Sequence, residues 1–96
     1  MTTLKINTIK TNMLKKGFKL RNGDHKYLHF YYNGHETMIK TKYSHGEIEI
    51  DDFLIEKMAK QIKLTKPEFI KFATCTLSEQ EYINILKEKN IIKTDN

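Results

Sequence analysis

The chain of 96 residues is long enough for one domain with its own hydrophobic core and too short for two. Its only cysteine, Cys75, excludes an intramolecular disulfide and fits a reducing compartment. The sequence has neither an N-terminal apolar leader nor an apolar run near the roughly 20 residues that span a bilayer. We therefore expect a cytoplasmic protein without a membrane segment.

The positive charge of the chain is unevenly distributed. The formal net charge is +5 at pH 7, and residues 1–23 contain basic side chains but no acidic one. These basic residues are Lys5, Lys10, Lys15, Lys16, Lys19 and Arg21. The asymmetry indicates a polyanion or an acidic protein as partner, whereas the alternative is an ordinary solvated surface rich in lysine.

The N-terminal third predicts a helix followed by a strand. Apolar residues at near-helical spacing predict a helix over residues 3–16, and Gly17 stands where that helix would end. Alternation with period two predicts a strand at Phe18–Arg21, and Asn22-Gly23 is a turn dipeptide.

A β-hairpin follows, with strands at Lys26–Tyr32 and Thr37–Tyr43 joined by a two-residue turn at Asn33-Gly34. The predicted pairs are Tyr32 with His35, Tyr31 with Glu36, Phe30 with Thr37, His29 with Met38, Leu28 with Ile39 and Tyr27 with Lys40. Cross-strand partners share a face. The predicted core face carries Leu28, Phe30 and Ile39, and the second face carries Tyr27, His29, Tyr31, Lys40 and Lys42.

The rest of the chain predicts helices. Apolar residues at every fourth position predict a helix over Asp51–Lys63. Two capping boxes then mark helix starts, one formed by Thr65 with Glu68 and one by Ser78 with Glu81. Residues 91–96 are expected to fray. Packing the helices on one face of the sheet gives an α+β two-layer sandwich of order α-β-β-β-α, the plan of the double-stranded-RNA-binding fold, with additional C-terminal helices.

Several short motifs in this order resemble the HicA family of toxin-antitoxin RNA interferases. They are Gly17-Phe18, Arg21, Gly23-Asp24-His25 and Ser44-His45-Gly46, followed by the helix from residue 49 to 62. The resemblance divides the chain into a core over residues 1–64 and a helical extension over residues 65–96. The family pattern has Ser where this chain has Asp24, and it has no counterpart of the extension. Three roles are open for the extension: it covers the site, forms a homodimer or enlarges the core.

What the resemblance implies is a small ribonuclease that cleaves messenger RNA, uses no cofactor, and is neutralised by a HicB-like antitoxin. His25 takes the position of the catalytic histidine. Imidazole titrates near pH ~6.5, so it can accept the proton of a ribose 2′-hydroxyl and return one to the leaving 5′-oxygen. The alternative is a loop histidine that only caps the turn.

The other candidate residues are expected to bind nucleic acid. Arg21 and Lys40 are the predicted phosphate partners, because both fall on the second face. The remaining candidates are Lys19, Lys26, Tyr27 and His45. The rings of Tyr27, His29 and Tyr31 either stack on unpaired bases or form a second core under the C-terminal helices. No metal site is expected, because His25 and His29 lie roughly 13 Å apart along a strand.

The sequence leaves three functions open. The first is a metal-independent endoribonuclease that acts through His25. The second is a nucleic-acid-binding module of the same fold without catalysis, which Asp24 and the added helices favour. The third is a protein-interaction domain whose sheet face is covered by an acidic partner or by a second copy of the chain.

Overall fold

A computed structural model of the chain describes residues 3–74 and 76–92. Cys75 and the end of the segment expected to fray, residues 93–96, lie outside the described residues. The described chain forms a three-stranded antiparallel sheet, a small two-stranded sheet and four helices, which confirms the predicted α+β class. None of these helices has the length and apolar character needed to cross a bilayer.

The N-terminal helix is shorter than predicted because its first residues form a strand. Strand β1 (Leu4–Lys5) precedes helix α1 (Ile6–Leu14). Leu4 pairs with Ile50, and the amide of Ile6 donates to the carbonyl of Ile48 over 2.9 Å. The prediction of helix from residue 3 is therefore wrong at its start, because pairing with a distant segment satisfies this backbone.

The main sheet has the order β2-β3-β4, formed by Phe18–Asn22, Lys26–Tyr32 and His35–Tyr43. The hairpin turn is the predicted one, with positive φ at Asn33 (53°) and Gly34 (78°).

The predicted hairpin register holds only next to the turn. Tyr32 pairs with His35 and Tyr31 with Glu36, but His29 pairs with Lys40 instead of Met38. The remaining pairs shift likewise, to Leu28 with Thr41 and Tyr27 with Lys42. The shift arises from a bulge in β4 at residues 37–39, where the Thr37 hydroxyl donates to the Phe30 carbonyl over 2.7 Å.

The second half of the chain follows the predicted signals closely. One difference is that residues 49–50, which the resemblance placed in the closing helix, form strand β5 (Glu49–Ile50) and pair with β1. Helix α2 (Asp52–Gln61) begins one residue after the predicted Asp51, whose carboxylate accepts from the Leu54 amide, and ends two residues before the predicted Lys63. Helices α3 (Lys66–Ala73) and α4 (Glu79–Glu88) both begin with the predicted capping boxes.

The C-terminal helices enlarge the core and do not cover the second face. The ring of Tyr82 from α4 lies 5.0 Å from that of Phe30 and 5.9 Å from that of Phe18, centroid to centroid. Phe72 from α3 joins the same cluster, 4.7 Å from Tyr82. Phe30 belongs to the predicted core face and Phe18 is its partner in the sheet, so helices α3 and α4 share one layer with α1. Helices α3 and α4 therefore do not form a second core around Tyr27, His29 and Tyr31, which was one of the two predicted alternatives.

Candidate functional site

His25 lies in the short loop between β2 and β3. Asn22 and Lys26 pair as the last rung of the ladder, and the Gly23 amide donates to the His25 carbonyl over 2.9 Å. The loop is therefore closed by backbone hydrogen bonds, which fix the position of the His25 backbone at the end of the sheet.

Asp24 holds this loop through its carboxylate. Its Oδ1 accepts from the Tyr27 hydroxyl over 2.7 Å and from the His25 amide over 3.1 Å, while Oδ2 lies 3.4 Å from His25 Nδ1. The hydrogen bond from Tyr27 is the largest influence on the pKa of Asp24 and, with the smaller contributions of His25, keeps it below its ordinary value although desolvation acts to raise it. The same hydrogen bond raises the pKa of Tyr27. Asp24 is therefore a carboxylate at neutral pH, placed beside the imidazole.

His45 fixes the same loop from the other side. Its Nε2 lies 2.9 Å from the Gly23 carbonyl oxygen, across the gap between the β4–β5 connection and the β2–β3 loop. A carbonyl only accepts, so Nε2 carries the proton. The Nε2–H of His45 is therefore directed at the backbone and not at a phosphate. This geometry favours a positioning role over the phosphate contact expected from the sequence.

A cavity of about 90 Å³ lies beside His25, between the end of β4 and helix α2. It is lined by His25, Lys42, Tyr43, Ser44, Glu47, Ile50, Leu54, Lys57, Met58 and Gln61. Two lysines thus share a cavity with the imidazole, one from the sheet and one from the helix. The side chain of His25 keeps 36% of its surface exposed, so a ligand can reach the ring from solvent.

Two polar atoms of cavity-lining residues are buried without a hydrogen bond within the described chain. They are Nδ1 of His25 and the hydroxyl of Tyr43. The contact between His25 Nδ1 and Asp24 is an electrostatic one that lacks hydrogen-bond alignment. Burial also raises the pKa of Tyr43. Unsatisfied buried polar atoms are uncommon and mark places where water or a polar ligand binds.

Arg21 is engaged elsewhere on the sheet. Its guanidinium donates to the Tyr31 hydroxyl and to Glu36 Oε1, both over 2.6 Å, and Glu36 Oε2 lies 3.1 Å from His29 Nδ1. Arg21, a predicted phosphate partner, is thus held by two side chains of the sheet and does not line the His25 cavity.

The other predicted binding residues fall into separate groups. Lys19 lies on the second face with its Nζ 4.4 Å above the ring of Tyr31. Lys40 is exposed opposite His29. Lys26 lines a groove with Lys10 and Ile6 of α1, so it faces the helical layer and not the second face.

Lys57 and Tyr43 were missed by the sequence reasoning, and Lys42 was placed on the second face without a role. Alternation does give the face of Lys42. Lys57 comes to line the same cavity as His25 through the packing of α2 against β4, for which the sequence carries no local signal.

Comparisons with protein-family models, with curated proteins and with solved structures found no match to this chain.

Proposed function

We propose that this protein is a metal-independent endoribonuclease of the HicA-like kind, acting on messenger RNA in the cytoplasm through His25. The observation that carries the proposal is the cavity that His25, Lys42 and Lys57 line together, with a carboxylate oxygen of Asp24 3.4 Å from His25 Nδ1. An imidazole beside a carboxylate, in a cavity also lined by two lysines, is suited to transferring protons at a phosphodiester.

The proposed reaction needs no protein nucleophile. The imidazole of His25 accepts the proton of the ribose 2′-hydroxyl, and the 2′-oxygen attacks the adjacent phosphorus. The bond from phosphorus to the 5′-oxygen breaks, a 2′,3′-cyclic phosphate forms, and the imidazolium returns the proton to the leaving 5′-oxygen. Lys42 and Lys57 stabilise the negative charge that develops on the phosphoryl oxygens.

The proposal gives Asp24 a role that the resemblance to the HicA family does not imply. A negative charge beside a phosphate site is unfavourable on its own. Here the carboxylate lies 3.4 Å from His25 Nδ1 and is neutralised in part by two hydrogen bonds, so it favours the imidazolium formed during proton transfer.

The test is cleavage of a structured messenger RNA by purified protein in EDTA. His25→Ala is expected to abolish cleavage and to retain the fold, whereas His35→Ala, at an exposed position next to the hairpin turn, is the matched control and is expected to cleave normally. Cleavage by His25→Ala at the wild-type rate contradicts the assignment.

A second candidate function is a module that binds RNA but does not cleave it. The exposed cations of the second sheet face favour it. RNA binding that falls with salt, together with no cleavage by wild-type protein, supports this candidate over the first. A small acidic antitoxin that covers the His25 cavity remains part of the first proposal.

A further inference from the structure

The second face of the sheet carries a regular arrangement of rings and cations. We call it the open face and define it by Lys19, Arg21, Tyr27, His29, Tyr31, Glu36, Lys40 and Lys42. The registers of the three strands place Tyr27 between Arg21 and Lys42. They place His29 between Lys19 and Lys40 in the next row. Each of these rows therefore has an aromatic ring on the central strand and a basic residue on each outer strand.

The charge of the open face is strongly positive. Its four basic residues are all exposed, and Glu36 is its one acidic residue. Partial burial acts to raise the pKa of Glu36, but the charge and hydrogen bonds of Arg21 outweigh it, and the pKa lies below its ordinary value. Glu36 is thus ionised and offsets Arg21, while Lys19, Lys40 and Lys42 remain as an excess of positive charge.

The three rings are not equally available to a base. The side chain of His29 is only 12% exposed, and the ring of Tyr31 is covered on one side by Lys19. Tyr27 is half-buried beside the rings of His25 and His29 and lines an open groove with Lys40 and Lys42, so it is the ring best placed to stack on a base. This arrangement suits a ligand held mainly through phosphate contacts, with one stacked base close to the cavity.

We propose that the open face binds single-stranded RNA and leads it along β3 into the His25 cavity, an inference that rests on the proposed function and names its substrate class. Lys42 belongs both to the open face and to the cavity, so the two surfaces are continuous. The cations on β2 and β4 are separated by two strand spacings, about 10 Å, which admits one nucleic-acid strand between them. A duplex keeps its bases paired inside and presents none to Tyr27.

The decisive measurement is fluorescence anisotropy with a labelled ten-nucleotide uridine oligomer and with a labelled RNA hairpin of fully paired stem. The protein carries His25→Ala so that the RNA stays intact, and the buffer contains EDTA. The oligomer is expected to bind more tightly than the hairpin. Because single-stranded binding has a salt slope of about −0.7 for each phosphate contact, the double variant Lys19→Gln/Lys40→Gln is expected to reduce the slope by about 1.4.

Two further variants separate the contributions. Lys71→Gln removes an exposed lysine from α3, in the helical layer, and is expected to leave affinity and slope unchanged. Tyr27→Leu is expected to weaken binding of the oligomer while keeping the slope, because a stacked base releases no counterions. Tighter binding of the hairpin, or an equal loss of slope in Lys71→Gln, overturns the inference.

The failure of this inference and that of the proposed function give different results. If wild-type protein does not cleave but the binding pattern is as described, the ribonuclease proposal fails and the open face stands as a single-strand binding surface. If wild-type protein cleaves and the variants Lys19→Gln/Lys40→Gln and Tyr27→Leu bind like the parent, the open face is wrong and the His25 site stands.

Discussion

The Nζ of Lys16 lies 2.7 Å from the carbonyl oxygen of Phe72, at the last turn of α3, within the buried part of the molecule. The same ammonium also donates to the Leu77 carbonyl over 2.6 Å. Lys16 is only 8% exposed, although it follows directly on the exposed Lys15. One lysine after α1 thus satisfies carbonyls on both sides of the connection between α3 and α4.

Replacing Lys16 by Met is expected to lower the free energy of unfolding by about 2–3 kcal/mol, because buried carbonyls lose a charged donor. Lys15→Met is the matched control and is expected to change the free energy by less than about 0.5 kcal/mol. Chemical denaturation of the three proteins gives both values. Equal stability of the two variants contradicts the structural role of Lys16.

Gly17 combines a positive φ of 95° with close packing, since a Cβ there would lie 2.9 Å from the buried ring of Phe30. Gly34 has a similar φ of 78°, but a Cβ added there would have no atom within 4 Å. Gly34→Ala is therefore expected to cost about 1–2 kcal/mol from backbone strain alone. Gly17→Ala is expected to cost roughly 1–3 kcal/mol more, because the core is overpacked. Thermal and denaturant unfolding of both variants measure the difference, and a Gly17→Ala protein as stable as Gly34→Ala rules out the contact.

The two capping boxes make the free energy of unfolding depend on pH in the acid range. A hydrogen bond from the Ser78 backbone holds the pKa of Glu81 below its ordinary value, and Thr65 does the same for Glu68. Because the folded pKa is depressed, the stabilisation is present above the unfolded pKa of about 4.3 and is lost as pH falls through the folded pKa.

We therefore expect the free energy of unfolding to decline below about pH 4.3, and to decline less in Glu81→Gln, whose amide keeps the capping geometry without titrating. The control is Glu88→Gln, at the opposite end of α4. Denaturation curves at a series of pH values between neutral and strongly acidic test this. A Glu81→Gln protein with the wild-type acid response excludes the explanation.

In the proposed ribonuclease reaction, Asp24→Asn is expected to reduce kcat by roughly tenfold or more, because an amide does not stabilise the imidazolium of His25. The free energy of unfolding is expected to change little, since Asp24 is exposed. The distinguishing readout is the split between kcat and KM, because loss of the charge beside the imidazole should lower kcat without raising KM. A loss of kcat/KM that comes only from a higher KM indicates that Asp24 only shapes the loop.

The sequence predicts those parts of the fold that depend on neighbouring residues. Alternation identified the face of Phe18, Leu28 and Phe30, and the capping boxes located α3 and α4 because the hydrogen bonds involved span three residues. Strand β1 was missed because Leu4 is paired with a segment more than forty residues away. The neighbours of the site residues could not be predicted. Arg21 pairs with Glu36, and Lys57 lines the same cavity as His25, through tertiary packing that local periodicity does not encode.

The bulge at residues 37–39 also sets a rule for changes of length in the hairpin. Between the pairs on either side of it, β4 contributes three residues and β3 contributes only Phe30. The excess is even, so Ile39 and Thr41 still point to the core while Lys40 and Lys42 point away from it. Removing two residues here would leave a regular ladder with both sets in place, whereas removing one leaves either a one-residue bulge or an exchange of the two sets. Among natural or engineered variants, two-residue changes of length in this segment are therefore expected to be tolerated better than single-residue changes.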